Sequence, residues 1–202
     1  MKKVLWFLCV TPALLAFVST GSAQTTTLIG PDVVNNVGSI DITSVDAPSN
    51  LAVASGGATL TGGGTVTLSG GDAGISEFVP GVQTLTIADQ TIQGVGNIGR
   101  NSTDFVNQAD GLINANVDGE TLLIDALSSF INSGTLQASG GGILELRDAG
   151  ATDFANAGGT IEALDGSEVL LTTNARIVGG VLSTAGTGNI VLVLVKLPPL
   201  KT

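Results

Sequence analysis

Two pairs of acidic side chains lie close enough in the sequence to act together: Asp118 with Glu120, and Asp165 with Glu168. Enzymes that cleave polysaccharides need clustered carboxylates, which serve as acids, bases or nucleophiles. Each pair also has a glycine inside it, and Asp next to Gly is typical of a tight turn. We therefore expect both pairs to lie in turns, with a carbohydrate-cleaving site as the alternative.

Arg147 and Asp148 are another candidate for such chemistry, because they are the one adjacent basic and acidic pair on a repeated strand. Polysaccharide lyases combine a basic residue with carboxylates and a Ca²⁺ ion. The equivalent positions in the neighbouring repeats are not arginine, which would allow Arg147 a role of its own. An outward-facing charge on a strand is the simpler expectation.

The sequence lacks the residues that several other kinds of functional site require. The sequence contains no His, and its single Cys is Cys9, so it offers no base for a nucleophilic triad and no usual ligands for zinc or iron. Three glycines at 62–64 have no phosphate-binding Lys after them and predict a turn. Beyond residue 23 there is no Trp or Tyr on which a sugar could stack. We therefore assign no catalytic residue and no cofactor.

Calcium and ice are two further ligands to consider. The segment SGGDAGI around Asp72 matches a calcium-binding repeat once, so weak Ca²⁺ binding at the acidic surface is the only metal expectation. An ice-binding face would need a Thr-x-Thr pair at constant spacing in every repeat. The pairs that occur are unevenly spaced: Thr59 and Thr61, Thr65 and Thr67, Thr84 and Thr86.

Residues 1–23 predict a secretory signal peptide. Lys2 and Lys3 precede an apolar stretch from Val4 to Val18, and small residues form a cleavage site after Ala23. The stretch of about 15 residues is shorter than the ~20 that span a bilayer, so we expect no transmembrane segment in the mature chain. We expect a secreted protein, extracellular or at the cell surface.

Charge is strongly one-sided. Beyond residue 23 the chain has five basic and 17 acidic side chains, a net charge of −12. That field repels nucleic acid and anionic lipid, so neither is an expected partner. The acids are scattered singly, which is typical of a solvated surface that keeps a β-rich protein soluble.

Three phrases recur about 24 residues apart: FVNQADGLINA from Phe105, FINSGTLQA from Phe130 and FANAGGTIEA from Phe154. A Gly-bearing turn and a second apolar run ending in Ala follow each of them. Such short strands cannot form a domain singly and must stack on copies of themselves. The period therefore predicts an all-β fold, a right-handed parallel β-helix (β-solenoid) with about 24 residues per rung.

Alternation within the phrases predicts which side chains face inward. In GTLQA, Leu136 and Ala138 alternate with polar residues, so they should be buried. Asn tolerates tight corners and bonds its counterpart in the next rung, which makes a structural role the expectation and ligand binding the alternative. Two structural columns should run along the inside: Phe105, Phe130 and Phe154, and Asn107, Asn132 and Asn156.

The two ends of the chain differ from its middle. Residues 24–50 show no repeat and predict an irregular N-terminal cap, before a solenoid domain of roughly six rungs over residues 51–202. The last apolar run, from Ile190 to Val195, has no acidic residue after it. Such an edge pairs readily with other chains, so we expect self-association through the C-terminal rung. The alternatives are a partner that covers the edge, or a solenoid truncated from a longer array.

The run from Thr84 to Gly188, which includes TLTIADQTIQGVGNIGRNSTDFVNQADGLINA and the two later repeats, resembles the β-strand repeats of large secreted bacterial surface proteins. It is similar to segments of adhesins and autotransporter passengers. The resemblance covers about half of the chain and implies a right-handed β-helix at an extracellular location.

These observations favour a non-enzymatic structural or adhesion protein whose repeats form a stiff scaffold. Its partners would be unidentified cell-surface or matrix components. A carbohydrate-active β-helix enzyme, a polysaccharide lyase or hydrolase, is the main alternative, and an ice-binding protein is another.

Overall fold

The computed structural model describes residues 15–18, 24–28, 33–78, 81–147, 153–172 and 175–193. These residues form a parallel β-solenoid with about 24 residues per coil and contain no helix. Each coil contributes one short strand to each of three sheets. From residue 58 onward the described chain makes six coils, and the sequence predicted roughly six. One further complete coil, β3 to β5, precedes them, and β1 and β2 are strands of a coil before that.

The strands of the three sheets follow in spatial order. Sheet A contains β1 (Leu15–Val18), β4 (Ser39–Thr43), β7 (Thr65–Ser69), β10 (Thr91–Gly94), β13 (Leu112–Ala115), β16 (Thr135–Ala138), β19 (Thr160–Ala163) and β22 (Val181–Thr184). Sheet B contains β2 (Gln24–Leu28), β5 (Ser49–Val53), β8 (Ala73–Glu77), β11 (Gly96–Ile98), β14 (Thr121–Ile124), β17 (Ile143–Arg147), β20 (Glu168–Thr172) and β23 (Asn189–Leu192). Sheet C contains β3 (Val33–Asn35), β6 (Ala58–Thr61), β9 (Gln83–Ile87), β12 (Thr103–Asn107), β15 (Phe130–Asn132), β18 (Phe154–Ala155) and β21 (Ile177–Val178).

Period-two alternation builds the core. In β16, Leu136 and Ala138 are fully buried, while Thr135 and Gln137 face outward and are half-buried. The partners of Leu136 in the adjacent strands are Ile113 and Ile161, which are also fully buried. Each coil thus covers the apolar side chains of its neighbours, and stacking supplies the burial that one coil lacks.

The region expected to be an irregular cap has regular strands. Within residues 24–50, β2, β3 and β4 lie wholly in this range and β5 begins in it, all in register with later strands of their sheets. Leu51 and Val53 of β5 are already buried in the core. The sequence hides this because apolar residues of different types replace Phe and Asn in the early coils. The leader predicted for residues 1–23 stays a prediction; Leu15–Val18 within it lies beside β4.

No helix among the described residues has the length and apolar character that crossing a membrane would require. The right-handed sense of winding stays an expectation from the sequence.

Candidate functional site

The three repeated Phe side chains form one internal stack. Phe105 pairs in register with Phe130, and Phe130 with Phe154, at the centre of sheet C. The ring centroids lie 6.0 Å and 5.4 Å apart, with tilted planes. This is a favourable range for aromatic pairs, and all three rings are buried, so the column is a packing element with no open face for a ligand.

The three repeated Asn side chains form a second internal column, the asparagine ladder. Asn107 Nδ2 donates to Asn132 Oδ1 over 2.8 Å, and Asn132 Nδ2 donates to Asn156 Oδ1 over 2.7 Å. Each side chain is at most 1% exposed. Asn107 Oδ1, at the first rung, has no hydrogen-bond partner within the described residues, because its neighbour in the preceding coil is Ile87.

Glycine in the following coil makes room for each amide of the ladder. A Cβ added at Gly134 would lie 2.8 Å from Asn107 Nδ2, and one at Gly159 would lie 2.4 Å from Asn132 Nδ2. Both distances are shorter than a van der Waals contact. The repeated pairing of Asn with a glycine shortly after it is therefore a packing requirement of the corner, and it accounts for the motif without a ligand.

Acidic side chains close several of the other corners. Asp104, only 7% exposed, accepts hydrogen bonds from the backbone N–H groups of Ser128 and Ser129, at 2.7 and 2.9 Å, and from Ser128 Oγ at 2.8 Å. No pattern in the sequence predicts this contact, because Asp104 has no acidic counterpart in the adjacent repeats. Three donors on one buried carboxylate make it a structural cap for the next coil.

Asp165, one of the acids first considered for catalysis, also closes a turn. Its Oδ1 accepts from the backbone N–H of Thr187 at 2.8 Å and from Thr187 Oγ1 at 2.9 Å. These two hydrogen bonds hold the pKa of Asp165 below its ordinary value, so the carboxylate stays ionised near neutral pH. A general acid needs a raised pKa, so the lowered pKa of Asp165 is consistent with a residue that holds a turn together.

Similar local bonds lower the pKa of two half-buried carboxyl groups. Backbone hydrogen bonds, that of Gly63 foremost and that of Gly62 after it, lower the pKa of Asp89. The guanidinium of Arg176 lowers the pKa of Asp153, with which it forms a two-pronged ion pair. Both acids bind neighbouring coils together rather than face a cleft.

Arg147 lies on the outer face of sheet B and bonds within its own strand. Its Nη2 lies 2.8 Å from Glu145 Oε1, and the same oxygen accepts from Thr172 Oγ1 of the next coil at 2.8 Å. Asp148, the acidic residue next to it in the sequence, lies outside the described residues. Asp118 and Glu120 are exposed beside the turn before β14, and Glu168 opens β20.

Two carboxylates from adjacent coils do share one groove. A shallow depression of about 320 Å³ on the outer face of sheet B is lined by Glu120 and Glu145, with Asn97, Thr121 and Leu123 beside them. Glu145 is held by Arg147 and Thr172, and Glu120 is exposed. Within the described residues no group of three or more potential metal ligands occurs.

The Thr-x-Thr pairs do not share a face. Thr65 and Thr67 lie on β7 of sheet A, while the other two pairs lie on β6 and β9 of sheet C. Asp72 lies in the turn before β8, where its backbone oxygen accepts from Arg100 Nη2 at 2.7 Å. Neither arrangement repeats along the solenoid, as an ice-binding or calcium-binding array would.

The comparisons with known proteins give no further assignment. No protein-family model, no curated protein and no solved structure matches the chain.

Proposed function

We propose that the protein is a non-enzymatic structural or adhesion protein, secreted and held outside the cell, whose coils form a stiff scaffold. The observation that carries this proposal is the internal order of the solenoid: the asparagine ladder and the Phe stack use the repeated side chains for coil-to-coil contact. Asp104, Asp153 and Asp165 are used in the same way. Because the repeated Asn and Phe side chains are used inside the solenoid, its outer faces are the surfaces that can contact other molecules.

The adhesin-like and autotransporter-passenger-like repeats support the extracellular location, as does the predicted leader. Along the exterior of sheet A the described coils repeat hydroxyl, amide and carboxylate groups at the strand spacing of about 4.8 Å. Gln93, Asn114, Gln137 and Glu162 occupy one outward column of that sheet. Such a surface fits broad contact with cell-surface or matrix polymers better than recognition of one small ligand.

Removal of one whole coil tests the scaffold role. Residues 130–153 span one repeat, and Phe130 is in register with Phe154, so their deletion joins Ser129 to Phe154 and keeps both columns in line. A scaffold should tolerate this, because the stability of a solenoid comes mainly from contacts between neighbouring coils. We expect the shortened protein to fold, to be detected by antibodies on intact cells, and to retain adhesion to immobilised matrix material. If antibodies did not detect the full-length protein on intact cells, the proposal would be contradicted.

A carbohydrate-active enzyme is the second candidate, because Glu120 and Glu145 line one groove. Incubation with a panel of neutral and acidic polysaccharides, followed by assays for new reducing ends and for unsaturated products, tests it. Activity that is lost in both Glu120→Gln and Glu145→Gln, with folding retained, would establish the enzyme. The coil deletion removes Glu145 and would abolish such activity while sparing a scaffold.

A further inference from the structure

Sheet A carries a regular row of hydroxyl groups on its outer face. The first residues of its strands from β4 to β22 face outward and stack in register, interrupted only by Leu112 and Val181. Each threonine in the row is half-buried, and within the described residues none of the four has a side-chain hydrogen bond. We call this row the threonine column: Ser39, Thr65, Thr91, Thr135 and Thr160.

A second outward row lies two residues further along each strand, and hydrogen bonds between coils hold its amides in place. Ser139 Oγ donates to Asn114 Oδ1 over 2.9 Å, and Gln137 Nε2 donates to Glu162 Oε1. The face thus combines free hydroxyls with amides whose positions are already fixed. A polar ligand that binds there orders few side chains, which lowers the entropic cost of binding.

Strand preference alone does not explain the threonine column. Threonine is favoured in strands generally, and this preference acts on all three sheets. Yet in the outward row of sheet C that passes through Ile131, only Thr59 and Thr86 carry a hydroxyl. The outward row of sheet B that passes through Glu145 carries none. The repeated hydroxyls are therefore a property of one face of the solenoid.

Charge indicates which class of ligand fits this face. The described strands β4 to β22 of sheet A contain two charged residues, Asp41 and Glu162, and no Lys or Arg. The whole chain has a net charge of −10. A polymer with carboxylates or sulfates would meet no cation on this face and would be repelled by the rest of the protein. The hydroxyls of a neutral polymer avoid that repulsion, and they can donate to and accept from threonine and amide side chains.

We propose that the outer face of sheet A binds an uncharged polysaccharide chain that lies along the solenoid axis. Neighbouring coils present their hydroxyls about 4.8 Å apart, which is similar to the length of one sugar unit in an extended chain. A single contact of this kind is weak, but contacts between several coils and one polymer reinforce one another. The inference rests on the proposed scaffold role, because it names the matrix polymer that the scaffold contacts.

Co-sedimentation of the purified full-length protein with insoluble cellulose, chitin and β-1,3-glucan tests the inference. We expect binding to at least one of them, unchanged in about 1 M salt because no ion pair is involved. Thr135→Val combined with Thr160→Val removes two hydroxyls and keeps the β-branched shape that strands favour, so this variant should fold. It should bind about tenfold more weakly, because two neutral hydrogen bonds are lost.

Thr59→Val combined with Thr86→Val makes the same change on sheet C and is the matched control, which should bind like the wild type. Circular dichroism checks that each variant is folded. Absence of binding to all three polysaccharides would overturn the inference, as would an equal loss in the two double variants. Binding confined to soluble acidic polysaccharides and abolished by salt would also overturn it, because the partner would then be ionic.

Two further outcomes separate this inference from its alternatives. If antibodies detect the protein on intact cells and it adheres to protein-coated plates but binds no polysaccharide, the inference fails and the scaffold proposal stands. Inhibition of ice growth without polysaccharide binding would assign the threonine column to ice and would overturn the inference.

Discussion

Asn107 donates its side-chain amide to Asn132 across 2.8 Å, although 25 residues of chain separate them and both side chains are buried. This contact fixes the register of two coils at a corner, where the backbone turns from sheet C toward sheet A. A buried amide without a partner is costly, so the correct register is favoured and a shifted register is penalised.

The middle rung of the asparagine ladder should be the most sensitive. Asn132→Ala removes two amide–amide hydrogen bonds: Asn107 Nδ2 loses its acceptor on Asn132, and Asn156 Oδ1 loses its donor. Asn156→Ala removes only one amide–amide hydrogen bond. We expect Asn132→Ala to lower the free energy of unfolding by about 2–4 kcal/mol and Asn156→Ala by roughly half as much. Denaturant titration measures both. A larger loss for Asn156→Ala would contradict the ladder.

Much of the second half of the fold could be predicted from the sequence, because its repeats preserve residue type as well as position. The first half could not be read in this way. Leu85 is in register with Phe105, and Ile87 with Asn107, so the columns continue with different chemistry. Within residues 24–50, Val34 continues the inward column of Leu60 and Ile87, so the repeated Asn does not appear there.

Contacts that occur once leave no periodic signal. Asn36 Nδ2 donates to Gln90 Oε1 over 2.7 Å, across 54 residues, and Gln90 Nε2 returns a bond to the Asn36 backbone oxygen. The two side chains meet across an intervening coil because Gly64 leaves space, with an added Cβ only 2.5 Å from Asn36 O. Neither residue has a counterpart in the phrases that revealed the repeat.

Glycine at the ladder corner should be irreplaceable. A Cβ at Gly134 would lie 2.3 Å from the backbone oxygens of both Gln108 and Gly111, so Gly134→Ala should cost about 1–3 kcal/mol of stability. Gly71→Ala is the control, since nothing lies within 4 Å of its added Cβ and its φ is not positive. That variant should be neutral or more stable by up to ~1 kcal/mol. Equal losses in thermal unfolding would refute the steric explanation.

Acid should weaken the corner that Asp165 closes. Because its pKa is lowered in the folded protein, its stabilising contribution is complete above the ordinary carboxyl value and is lost as the pH falls through the lowered one. The stability difference between wild type and Asp165→Asn should therefore shrink on acidification below about pH 4. Thr187→Val keeps the backbone donor and removes only the hydroxyl donor. At neutral pH it should therefore lose less stability relative to wild type than Asp165→Asn does. A difference that does not change with pH would be the contrary result.

Cleavage of the leader has an optical signature. Trp6 is the only Trp, and the sequence has no Tyr. If the chain is cut after Ala23, the secreted protein should show almost no near-ultraviolet absorbance beyond that of its Phe residues. Indole fluorescence in the secreted product would mean that the leader is retained, and mass spectrometry of the N-terminus would locate the cut.

The central claim is that alternate side chains of each coil face a continuous stacked core, and two neighbouring residues test it most directly. Phe130 is 3% exposed in the middle of the Phe stack, whereas Ile131, next to it on β15, is 43% exposed. Denaturant titration should show that Phe130→Ala loses about 3–5 kcal/mol, and Ile131→Ala about 0.5 kcal/mol or less. Equal losses, or a larger loss for Ile131→Ala, would contradict the stacked-coil account.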